Sequence, residues 1–207
     1  MVIPTINCAD FGCAKERIKE ITSFSSWVHI DVADGRFTDN ITWANTNELI
    51  SLKSQLKIEA HLMVKNPEDL IEPWLIAGAK RIIVHLETIK NIDKILELCA
   101  KYKADVVLSL DPEVNIKDVE PYLSKFNHFQ VLAVNPGPAG QNFNKEAINK
   151  IKFLRQKMPN ATIEIDGGIN PDTAKLAKEA GANIFAAASY IFSHEDPKTA
   201  FETLSSI

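Results

Sequence analysis

No stretch of the chain reaches the roughly 18 uninterrupted apolar residues of a membrane-spanning helix, and the opening MVIPTINCADF has no cationic leader before an apolar run. These absences predict a cytoplasmic protein with no membrane partner. Positive charge is also in short supply: 23 Lys and Arg against 27 Asp and Glu leave a formal net charge of -4, with the lysines scattered rather than clustered. Without a basic stripe to neutralise phosphates, nucleic acid is not an expected partner. Cysteine occurs only at Cys8, Cys13 and Cys99, with no CxxC pair. That set indicates neither a disulfide framework nor a thiolate zinc site, and Cys13 and Cys99 are expected as reduced thiols. The turn after Asn7 reads CADFGCAK and lacks a phosphate-binding glycine fingerprint, which argues against an open doubly wound sheet.

What is present is an ordinary globular composition, 45% hydrophobic and 24% charged over 207 residues. A chain of this length buries roughly 70% of its unfolded surface, so it needs no structural metal to complete a core. Short apolar runs alternate with amphipathic stretches, the pattern of βα units feeding a parallel sheet. Eight candidate strands open at Val2, Trp27, Lys57, Arg81, Asp105, His128, Thr162 and Asn183. Between them lie helical segments such as PEDLIEPWLIAG from Pro67, with proline in its first turn, acids behind it and Gly78 as a stop, and PDTAKLAKEAG from Pro171 with the same grammar. With no linker or low-complexity tract, residues 1–207 are expected to form one α/β domain, a closed (β/α)8 TIM barrel.

Active sites of such barrels lie at the carboxyl ends of the strands. His29 and Asp31, two apart on the second strand, share a face; His61 lies on the third strand and Asp166 ends the seventh. Any one of them alone reads as a core hydrogen-bonding residue or a cap. Four at one mouth favour a cation, because burying several carboxylates together without one is costly. Two imidazoles and two carboxylates suit a borderline divalent ion such as Zn, Fe, Mn or Co.

Seven segments carry a wider likeness: PTINCADF, HIDVADGRFTDN, HLMVKNPE, HLET, VNPGPAGQ, DGGIN and ASYIF, in that order. Together they resemble the ribulose-phosphate 3-epimerase family from end to end. The resemblance implies an isomerase of carbohydrate metabolism, in the pentose phosphate pathway, that interconverts D-ribulose 5-phosphate and D-xylulose 5-phosphate at C3 through an enediolate. It implies one divalent metal on His29, Asp31, His61 and Asp166, acting as a Lewis acid, with Asp31 and Asp166 also serving as acid and base. It implies substrate contacts from Thr5, His61, Met63, backbone amides of Gly137, Pro138, Ala139 and Gly140, then Gly167, Gly168, Ala188 and Ser189, and a homo-oligomer as partner state.

Other assignments stay open. Met63 reads equally as core packing, and Glu59, on the face of His61 one layer deeper, as an orienter of that imidazole or as an unrelated buried hydrogen bond. His85 and Glu87 match the family's fourth-strand pair or a buried polar network. His128 and His194 read as structural or solvated. The chain departs from the family pattern at Ala33, Arg36, Leu132, Pro138, Ala139 and Ala188, and Asn7 and Cys8 stand where Leu and Ser are usual. A 3-epimerase for another ketose phosphate, such as D-allulose 6-phosphate, would use the same metal and aspartates. A non-catalytic phosphosugar-binding barrel would be favoured by erosion of that set, which is intact; a Schiff-base aldolase would need a lysine at a strand end, and none is offered.

Overall fold

The computed structural model describes residues 1–207. Eight parallel strands close into a barrel in sequence order: β1 (Val2–Ile6), β2 (Trp27–Ala33), β3 (Lys57–Met63), β4 (Ala79–His85), β5 (Asp105–Leu110), β6 (His128–Leu132), β7 (Thr162–Asp166) and β8 (Ile184–Ala187). Closure is made by β8 pairing with β1, with Ile3 beside Ala186. The (β/α)8 expectation is met.

Alternation along each strand separates two environments. On β2, Val28, Ile30 and Val32 point outward into a core shared with Ile18, Leu49 and Trp74, while His29 and Asp31 point into the barrel. A second outer core gathers Phe129, Val131, Ile163, Ile165 and Ile151 on the opposite side. The barrel interior is polar in its middle layer: Ser109 donates to Gln130 (2.7 Å), Gln130 donates to Glu164 (3.1 Å), and Arg81 donates to Glu59 (2.7 Å) while its guanidinium lies 3.9 Å from the Trp27 ring centroid.

The helices are α1 (Phe11–Ile21), α2 (Thr46–Ser51), α3 (Ile71–Ile76), α4 (Ile92–Lys101), α5 (Ile116–Val119), α6 (Glu146–Lys157), α7 (Pro171–Ala180), α8 (Ser189–Phe192) and α9 (Pro197–Ser205). None is long and apolar enough to cross a membrane. The α7 grammar read from sequence is realised: Asn170 and Thr173 form a capping box, and Gly181 ends the helix at φ 117°. The segment from Pro67 is not one helix. It is a 3-10 turn over Pro67–Asp69 followed by α3, because Pro73 has no N–H for the Asp69 carbonyl and its ring would collide with that carbonyl in a continuous helix.

The cysteine expectation is also corrected. Cys8 and Cys13 are disulfide-bonded, since the β1–α1 turn brings their Cα atoms to 5.8 Å, within bridging range. Cys99 alone is free, and burial pushes its thiol up to about 12.

Candidate active site

The strand register brings the inward residues of neighbouring strands side by side. Thr5 pairs with His29, His29 with Glu59, Asp31 with His61, and Leu132 with Asp166. The resulting cluster is tight. His29 Nε2 lies 3.2 Å from Asp31 Oδ1 and 3.9 Å from Asp166 Oδ2, and His61 Nδ1 lies 3.0 Å from Asp31 Oδ1 and 3.6 Å from Asp166 Oδ2. One ligand atom from each of His29, Asp31, His61 and Asp166 falls within 4.8 Å of the others, so this buried group could hold a metal ion.

Charge is divided unevenly among the acids. Burial alone would raise Asp31, but its close contacts with the His29 and His61 imidazoles outweigh it and hold its carboxyl well below the usual range. Asp166 is pushed up to about 7, by burial first and then by the Asp31 and Glu164 carboxylates. The same split recurs one layer down: burial opposes ionisation of Glu59, yet the His29 hydrogen bond and the Arg81 charge hold it at about 2, whereas burial and the Glu59 charge lift Glu164 to about 7.

Glu59 does not orient His61. It accepts from His29 Nδ1 at 2.8 Å, because its lateral neighbour in the register is His29, while His61 is two residues further along its own strand. His61 is instead met by His85: the two Nε2 atoms are 2.8 Å apart, and His85 Nδ1 is 2.6 Å from Asp111 Oδ1. His128 sits at the amino end of β6, with Nε2 4.0 Å from Glu164 Oε2, and His194 lies on the surface against Asp196.

Above the cluster opens a small cleft. Its walls include Thr5, Asp31, His61, Met63, Leu132 and Asp166, and its rim is formed by Gly137, Pro138, Ala139, Gly140, Gly167, Gly168, Ala188 and Ser189. The Thr5 hydroxyl is buried and has no hydrogen-bond partner within the chain. The β7–α7 turn approaches closely: a Cβ on Gly167 would lie 2.5 Å from Val134 Cγ2, and one on Gly168 would lie 2.8 Å from the Phe143 backbone nitrogen, with φ of 94° and 64°. Both glycines are therefore sterically required, since a side chain would meet atoms that cannot yield and the backbone conformation disfavours one. Gln141 braces the β6–α6 loop by donating to the Asn135 and Pro138 carbonyls at 2.8 and 2.9 Å.

Two residues of this mouth were not assigned to the site from the sequence, Asn7 being read only as a departure from the family pattern. Asn7 donates to Asp31 Oδ2 at 2.9 Å and to the Gly137 carbonyl at 3.0 Å, tying an acidic residue of the cluster to the loop above it. Its place two residues after Thr5 was a usable signal. Asp111, just past β5, carried the same signal as Asp166 at the end of β7.

The profile of the ribulose-phosphate 3 epimerase family matches residues 1–192. Relatives include the ribulose-phosphate 3-epimerase of Chlamydia muridarum, 35% identical over 200 residues (93% of this chain and 88% of that one). The cytoplasmic isoform of the enzyme from Oryza sativa subsp. japonica is 35% identical over 205 residues, 95% of this chain and 89% of the other. Among solved structures, 3-hexulose-6-phosphate synthase superposes with a TM-score of 0.73 at 14% identity, over 99% of this chain and 98% of that one. KGPDC from Streptococcus mutans gives 0.75 at 14% identity, over 99% and 95%, and these two likenesses concern the fold alone. With a profile match spanning most of its length and relatives above 30% identity, the chain belongs to the ribulose-phosphate 3-epimerase family.

Proposed function

We propose that the protein interconverts D-ribulose 5-phosphate and D-xylulose 5-phosphate by inverting C3, with Asp31 and Asp166 exchanging the roles of base and acid. The observation that carries this reading is the convergence of two buried aspartates from different strands, together with His29 and His61, below a cleft rimmed by glycine loops. Inversion beside a ketone breaks the C3–H bond, passes its proton to one carboxylate, leaves an enediolate, and forms a new C3–H bond with a proton from the other carboxylate on the opposite face. Carboxylates of different strands are suited to this, because each can approach one face without moving the substrate.

His29, Asp31, His61 and Asp166 would hold one divalent ion of the Zn, Fe, Mn or Co class; the mixed imidazole and carboxylate donors fit it. When bound, such an ion supplies Lewis-acid stabilisation of negative charge on oxygen. The chain's own groups do the rest. Glu59 accepts from His29 Nδ1, which leaves Nε2 with a free lone pair on the cluster side. The unpartnered Thr5 hydroxyl supplies a hydrogen bond for a substrate oxygen. Backbone amides of Gly137, Ala139, Gly140, Gly167, Gly168, Ala188 and Ser189 meet the phosphate, and Pro138 shapes the loop without donating.

The same chemistry serves a hexulose phosphate, and Leu132 in the cleft wall with Pro138 and Ala139 at its rim are the residues that would admit it. Purified protein supplied with a divalent metal should exchange the C3 proton of D-ribulose 5-phosphate for deuterium in heavy water and form the xylulose epimer. Exchange only on D-allulose 6-phosphate would reassign the substrate, and exchange on neither would refute the epimerase.

A further inference from the structure

His61, His85 and Asp111 form a line of three side chains that begins in the aspartate cluster and ends above β5. His61 Nδ1 faces Asp31 at 3.0 Å; His61 Nε2 faces His85 Nε2 at 2.8 Å; His85 Nδ1 faces Asp111 Oδ1 at 2.6 Å. Both imidazoles are fully buried and Asp111 nearly so, so the imidazole nitrogens have to be satisfied by protein groups or a bound ion rather than by bulk water.

The line has three contacts, and two neutral imidazoles supply two protons. A proton is indispensable between the imidazoles, because two nitrogen lone pairs 2.8 Å apart repel. The second proton belongs either to the Asp31 contact or to the Asp111 contact. If it lies with Asp111, the sequence of donors is fixed: His85 Nδ1–H donates to Asp111, His61 Nε2–H donates to His85, and His61 Nδ1 is left with a bare lone pair toward Asp31. A cation then fills the one contact that has no proton. If it lies with Asp31, the direction reverses and Nδ1 is blocked.

Asp111 is equipped to win the proton. Lys150, from α6, donates to the Asp111 and Pro112 backbone carbonyls and brings its ammonium beside the carboxyl. Burial raises Asp111, but contacts with Glu87 and Lys150 both act to lower it, and Glu87 in turn is pushed up to about 7, by burial first and then by its contact with Asp111.

We propose that Asp111 and His85 are positioning residues that preset the tautomer of His61, leaving Nδ1 free to bind the metal. This rests on the metal set assigned above. The test is metal affinity, not turnover: Co(II) and Zn(II) binding by the purified apoprotein is measured in competition with a chromophoric chelator. Asp111→Leu and His85→Leu should each weaken binding about 10- to 100-fold, the range for loss of a group that orients a ligating histidine. Asp111→Asn, whose side-chain carbonyl can still accept from His85, should restore most of the affinity. Folded Leu variants that bind as tightly as the parent overturn the proposal.

A second measurement needs no variant and covers the case in which Leu is not tolerated. Long-range imidazole proton–nitrogen correlation spectra of the Zn(II)-loaded parent should show protonated Nε2 on His61 and protonated Nδ1 on His85; a protonated Nε2 on His85 refutes the line. A parent that binds no metal would instead remove the ligand assignment itself, and this inference with it.

Discussion

Alanine at Gly167 would probe the turn that carries the β7 aspartate into the cleft rim. The new Cβ would lie 2.5, 2.9 and 3.1 Å from Cγ2, Cγ1 and Cβ of Val134, and Gly167 has φ 94°. Two costs add. The left-handed backbone with a Cβ costs about 1–2 kcal/mol, and forcing a methyl against a β-branched side chain whose χ1 is stiff costs about 1–3 kcal/mol. The sum is roughly 2–5 kcal/mol of unfolding free energy, a large share of the stability of a typical domain. Gly140→Ala is the control: its φ is 85°, but nothing lies within 4 Å of the added Cβ, so only the backbone cost of about 1–2 kcal/mol applies. Urea unfolding followed by circular dichroism measures both. In a double-mutant cycle, Val134→Ala should recover about 1–3 kcal/mol in the Gly167→Ala background, the collision part alone. If Gly167→Ala costs no more than Gly140→Ala and Val134→Ala fails to rescue it, the close approach is not what makes glycine necessary there.

Asp31→Asn and Asp166→Asn should each reduce C3 exchange by about 10²-fold or more at saturating metal, since each removes an acid–base group; near-parent exchange in either variant would contradict the two-carboxylate scheme. Chelation should abolish exchange while far-ultraviolet circular dichroism stays close to that of the parent, and elemental analysis should return one divalent metal per chain. Glu87, raised to about 7 in the fold from a usual 4.5 by burial, contributes stability below pH 4.5 that is lost as pH rises through 7. Glu87→Gln mimics the protonated side chain, so its thermal midpoint relative to the parent should climb from pH 5 to pH 8; a difference constant with pH would rule this out.

Much of the molecule was legible in the residue order because its determinants are local. Alternation on WVHIDV put His29 and Asp31 on one face whatever lay across from them, and the opening Pro171 and closing Gly181 delimited α7 from composition alone. The break at Pro73 was equally local and was overlooked in favour of the longer pattern. The family's segments supplied the rim residues, which chemistry read from one strand at a time could not nominate.

Other assignments belong to the closed barrel. Glu59 serves His29 and not His61 because register between β2 and β3, rather than spacing along β3, decides which inward side chains touch. The Cys8–Cys13 bond depends on how tightly the β1–α1 turn folds back, which spacing alone does not specify. Arg81, a cation at the head of an apolar strand, is drawn inside by Glu59 and the Trp27 ring. Asp111, 50 residues from His61, reaches it only through His85, across three adjacent strands. Periodicity fixes the face on which a residue lies, and that is a property of one strand; which partner it finds there is fixed by register and closure, and those exist only once all eight strands are paired.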